Sequence, residues 1–148
     1  MTAEAIIDAI VTKLSAVVAG GEYENTISHV EEAPYNVSND DLDDGVTAVV
    51  AYAGQTIADQ SPHTQLDELS VLVEAHKRLT SQNAQREAMK LEQDIRRAVL
   101  KDKNYLAGLA RIDRVFAESS GIESSDSGAV VIAMVTFRIP HVQRHNSL

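Results

Sequence analysis

Four carboxylates fall within five residues in the run Asn39-Asp40-Asp41-Leu42-Asp43-Asp44-Gly45. Calcium is the cation suited to such hard oxygen donors, but an EF-hand loop sets its ligands at alternate positions. It also needs glycine at about the sixth place and a bidentate Glu at about the twelfth. Counted from Asp40, Leu42 takes the third position and Ala51 the twelfth. The frame fails, so the run reads as a solvated acidic loop, with a looser calcium site as the lesser alternative. The five histidines are His29, His63, His76, His141 and His145, and none has the spacing of an H-E-x-x-H site. His29 and His76 lie on predicted strands, where Glu31, Glu32 or Glu74 would complete an acid–base pair. Nothing local requires that pairing, and both read as surface histidines. The basic run Arg96-Arg97 with Lys101 and Lys103 reads first as a solvated helix end and second as a contact for an acidic partner. No nucleophile elbow, phosphate loop or dinucleotide fingerprint occurs. No catalytic residue, cofactor-binding residue or metal ligand is assigned, and the chain reads as a protein that is not an enzyme.

The elements that surround these residues are read from apolar spacing. Ile6, Ile10, Leu14 and Val17 predict an amphipathic helix over 2–18, with Thr2 as cap and Gly20-Gly21 as stop. Asn25 to Glu32 is polar enough for an edge strand, and Pro34 to Gly45 is a loop. Val46 to Ala53, apolar on both faces, and Leu66 to His76, which alternates, are strands separated by a loop or hairpin connection over 54–63. Ala84, Ala88, Leu91, Ile95, Ala98 and Val99 predict a helix over 82–100, with Ser81 as cap. Asn104 to Gly108 is a turn that buries Tyr105 and Leu106. Arg111 to Glu118 is a strand and Ser119 to Gly128 a Ser- and Gly-rich loop, so that the strand forms a hairpin with the next.

That next strand, Ala129 to Pro140, is apolar on both sides for most of its length. Such a strand belongs at or near the middle of a sheet, covered on both faces except at Thr136 and Arg138, where one face is expected to reach water. Pro140 has no N–H for a ladder and is expected to end it. The expected fold is α+β, a mixed or antiparallel sheet of about five strands with both helices on one face. Residues 1–140 form a single domain, and 141–148 form a flexible or partner-bound tail that holds His141 and His145.

Composition narrows the classes further. A chain of 148 residues is long enough for one hydrophobic core. It has no cysteine, which removes disulfides and thiolate metal sites and points to an intracellular protein. No secretory leader or membrane span is indicated. The net charge is −9, which argues against a protein that wraps nucleic acid. Residues 1–80 carry fourteen acids against three bases, and residues 81–148 carry eight against ten. The plain reading is a surface solvated by carboxylates. The asymmetry also lets the acidic part of one copy meet the basic part of a neighbour.

In this order of elements the chain resembles the tail terminator proteins of tailed bacteriophages, a group that overlaps the minor tail and tail-completion proteins. The likeness is carried by the opening helix ending at Gly20-Gly21 and the apolar strand ending in Tyr52-Ala53-Gly54. It continues through the alternating strand Leu69 to Ala75, the helix 82–100, Arg111-Ile112 before a polar loop, and the closing Val135-Thr136-Phe137-Arg138-Ile139. Residues 31–45 and those beyond Pro140 lie outside it. The resemblance implies a homo-oligomer, a hexameric ring on the last ring of the major tail (tube) protein. Such a ring ends tube polymerisation and offers the attachment surface for a neck or head-completion protein. DNA would pass through without specific binding, no membrane would be involved, and the place would be the tail–neck junction of a virion assembled in the host bacterial cytoplasm. An acidic loop such as 39–44 would face the lumen. The alternative is another neck, head-completion or small tail component.

Overall fold

The computed structural model describes residues 2–60, 64–80, 83–124 and 129–144. Five strands form one sheet: β1 (Ile27–Glu32), β2 (Val46–Gln60), β3 (Thr64–Arg78), β4 (Phe116–Ser124) and β5 (Val130–Arg144), in the order β1-β2-β3-β5-β4. β1 runs parallel to β2, and the remaining neighbours are antiparallel. Two helices, α1 (Thr2–Ser15) and α2 (Ala84–Leu100), pack on one face of it. The class is α+β with a mixed sheet.

The apolar stripes seat both helices. Ile6, Ile10 and Leu14 of α1 and Leu91, Ile95, Ala98 and Val99 of α2 are fully buried against the inner face of the sheet. α1 stops at Ser15 rather than at 18. Its last turn tightens into three-residue bonds, Ala16 N to Lys13 O and Val17 N to Leu14 O, as helix ends do when carbonyls run out of donors. Thr2, expected as its cap, is already the first helical residue. Ser81 lies outside the described residues. The cap of α2 is Asn83, whose side chain accepts from the Arg86 amide at 3.1 Å.

Two expected loops and the start of the expected tail are ladder in part. β2 and β3 extend as a hairpin to Gln60 and Thr64, where 54–63 had read as a connection. Register shifts between Tyr52 and Gln55 and between Ile57 and Asp59 break the alternation, and Gly54 absorbs the first with φ 106°. β4 covers 116–124 instead of 111–118. Residues 112–114 make a 3-10 turn, and the polar stretch 119–124 is an edge strand paired along β5. β5 continues past Pro140, which pairs with Glu68, and on to Arg144. The Pro140 carbonyl accepts from the Arg111 amide at 2.8 Å, beyond the end of β4. The missing N–H points to that same side, so no ladder bond is lost. The tail expected from residue 141 therefore begins inside the sheet, and residues 145–148 lie outside the described residues.

β5 lies between β3 and β4, and its inner face (Val131, Ala133, Val135, Phe137 and Ile139) is fully buried. Its other face is half-buried throughout, in line with the water expected at Thr136 and Arg138 but against the cover expected over Val130, Ile132 and Met134. At one end a 3-10 turn, Asp40–Leu42, covers that outer face. Leu42 is buried there outside the main core, and the Thr47 hydroxyl donates to the Asp41 carbonyl at 3.0 Å. Gly45 closes the turn at φ 143°, where a Cβ would lie 2.6 Å from the Ser28 hydroxyl and 3.0 Å from the Thr26 carbonyl. Only glycine fits this approach.

Candidate interaction surfaces

The acidic loop is held by its own carboxylates. Asp41 accepts from the Ser38 amide at 2.8 Å, the Ser38 hydroxyl at 3.0 Å and the Tyr35 hydroxyl at 2.9 Å. These bonds, led by the Ser38 amide, hold its carboxyl below the ordinary carboxylate range. Asp43 pairs with Arg78 at 2.9 Å, and Asp44 lies 3.8 Å from His29. Asp41 and Asp43 turn to protein donors rather than to a shared centre. Among the described residues no group of three or more His, Cys, Asp or Glu side chains is placed to hold a metal ion.

The histidines do not gather into a site. His29 and His76 share one row of the outer face, each paired with Thr47. β2 stands between them, which sets them about 10 Å apart. His76 bonds Glu74 at 2.6 Å, and neither Glu31 nor Glu32 joins His29 in an ion pair. His63 and His145 lie outside the described residues.

His141, read as part of a mobile tail, is fully buried on β5. Its Nε2 donates to the Gln55 side-chain oxygen at 2.8 Å, while Nδ1 has no partner. Burial holds the imidazole pKa below its ordinary value, and buried Asp67, its ladder partner on β3, pulls the other way. The folded chain thus resists a proton that the unfolded chain accepts near pH 6.5. His141 contributes stability that is present above that pH and is lost as pH falls through the lower folded value. Denaturant unfolding over a pH series is expected to show this slope in the native chain and less of it in His141→Gln. Identical slopes in the two proteins would refute it.

Across the outer face, Arg138 of β5 clamps three strands. It meets Glu118 of β4 with two bonds of 2.9 Å and Glu68 of β3 at 3.2 Å. The two-pronged contact lowers the Glu118 pKa and raises that of Arg138. On the inner side, Tyr105 donates to the Val99 carbonyl at 2.8 Å and packs beneath the Lys13 ammonium. Burial raises its pKa far above neutrality, so it stays a protonated anchor.

The basic run at the end of α2 is partly engaged. Arg96 lies 3.6 Å from Glu92, Arg97 and Lys101 reach Glu22, and Lys103 donates to the Val115 carbonyl at 2.8 Å. Two further bases, Arg86 and Lys90, continue this surface toward the start of the helix. In sequence they read only as part of the polar side of the helix, because they are not adjacent to the basic pair. The stripe spacing 86, 90, 93, 97 carried the signal.

Also missed were two acids of α2 that are buried. Asp94 accepts from the Glu24 amide, the Asn25 amide and the Asn25 side chain at 3.0, 2.8 and 2.9 Å. Glu87 pairs with Lys77 at 3.0 Å and accepts from the Thr80 hydroxyl at 2.7 Å. Their position beside Ile95 and Ala88 on the apolar side of the helix was the available sign.

Among the described residues no helix is long and apolar enough to cross a membrane. No family model matches the chain, and no curated protein matches it.

Proposed function

We propose that the protein is a structural virion component that forms a ring on the end of a phage tail tube. The ring ends tube polymerisation and offers the surface to which the neck or head attaches. The observation that carries this reading is the sheet, which keeps two dissimilar open edges, β1 and β4, and an outer face that neither helix covers. A surface of that kind suits a heterologous contact, one patch on a different patch of the next copy, which closes into a ring. The order helix, three strands, helix, two strands, on which the resemblance rests, supports it as well. The partners under this reading are further copies in a hexamer, the tube protein and a neck or head-completion protein. Exposed Asp40 and Asp44 would repel DNA passing through the lumen. The role involves no catalysis, and its place is the tail–neck junction.

Light scattering after gel filtration is expected to find a hexameric mass, either in the free protein or after purified tail tubes are added. Electron microscopy of those tubes would show the protein on their ends. A chain that stays monomeric and leaves tube ends bare overturns the reading in favour of another neck, head-completion or small tail component.

A further inference from the structure

α2 presents one sign of charge to water. Its acids are turned inward or paired: Glu87 to Lys77, Asp94 to Asn25, and Glu92 to Arg96 and the Ser120 hydroxyl at 3.1 Å. Its outer stripe is Arg86, Lys90, Gln93 and Arg97, all exposed, with Met89 beside it. Among the described residues no carboxylate lies within ion-pair distance of Arg86 or Lys90. In a chain with 22 acids and 13 bases, a helix face on which Arg86 and Lys90 stand unneutralised is a local inversion of sign.

The complement stands on the opposite edge of the sheet. α1 packs over β1, and this side exposes Glu4 and Asp8 on the helix and Glu32 on the strand, while Glu31 turns to the outer face in the row of Val49. None of Glu4, Asp8 and Glu32 has an ion-pair partner among the described residues. The two patches lie on different elements of one chain, so joining them requires a second copy.

We propose that the outer stripe of α2 receives the acidic α1–β1 flank of a second copy, head to tail. The contact rests on the ring reading only for its closure. The charge pairing itself comes from the placement of these residues. Opposed patches speed encounter and fix register, and like patches turned together are excluded. Head-to-tail joining leaves each copy with one patch still free, so the assembly grows until it closes.

Two charge-reversed proteins test this. One carries Arg86→Glu and Lys90→Glu, and the other carries Asp8→Lys and Glu32→Lys. All four side chains are exposed, and unfolding midpoints near that of the native chain would show that both variants fold. Sedimentation at low salt is expected to show association weakened about tenfold or more in each variant alone. Mixing the two is expected to restore it, because each then supplies the patch the other has inverted. Raising salt from about 0.05 to 0.5 M should weaken the native assembly, as screening shortens the reach of charge. Native-like association of either variant alone, no rescue on mixing, or a native chain that never associates overturns the proposal. Rescue accompanied by a two-fold dimer or an open filament keeps the charge pairing and removes the ring.

Discussion

Asp94→Ala is expected to lower the unfolding free energy by about 3–5 kcal/mol. The carboxylate is 1% exposed and is the acceptor for three donors, the Glu24 and Asn25 amides and the Asn25 side chain. Truncation leaves those donors facing a space that water cannot easily enter. An orphaned buried donor loses about 1–3 kcal/mol, and more where its lost partner was charged. The contact also ties α2 to the turn between α1 and β1, so the loss spans elements far apart in sequence. Asp94→Asn keeps the volume and one or two acceptor directions, but it sets its own NH2 against an Asn25 donor. It should fall between the native chain and alanine. Denaturant titration with an unchanged m-value would measure the effect. A loss below about 1 kcal/mol for alanine would mean that the three bonds are replaced without penalty, and the proposed role of Asp94 would fail.

Phe137→Ala is expected to remove about 3–5 kcal/mol by a different route. Phe137 is fully buried and heads the largest such side chains. Its ladder partners are Val71 on β3 and Ala117 on β4. The interior is packed at crystal-like density, so the neighbours relax only in part and a cavity adds to the lost transfer energy. For a domain of this size the thermal midpoint should fall by about 10 °C. Phe137→Leu fills most of the space and should fall much less. Phe137 faces the helices and not the outer surface. At low temperature the folded fraction of Phe137→Ala should therefore associate like the native chain, whereas the charge-reversed proteins keep their midpoints and lose association. A small shift for alanine would show that α2 settles into the gap.

The parts of this fold legible in the sequence are those where one side chain in two, or one in three or four, repeats the same demand. Leu91, Ile95 and Ala98 announce a helix before any partner is known, and Leu69, Val71 and Val73 announce a strand. Gly54 to Gln60 and Ser119 to Ser124 make no such demand. They are strands because β3 and β5 offer a ladder beside them, and backbone pairing overrides weak local preference. Pro140 misled for a related reason, since its missing donor matters only if a neighbour awaits it. His141 and Asp94 were hidden because burial of a polar group depends on partners about 70 or more residues away. The charge asymmetry was visible as a tally between halves. Its resolution into one helix face and one sheet edge needed the fold.

The strand order has a consequence for how the protein is made. β5 follows the other four strands of the sheet in sequence, yet it lies between β3 and β4 and pairs with β3 over fifteen residues. Until the ribosome has released it, β3 keeps a long open edge, α2 has little floor beneath its apolar stripe, and β4 has nothing to pair with. The residues of α2 that pack on β5 must therefore stay exposed for several seconds of synthesis. An edge of that length is a template for another chain's strand.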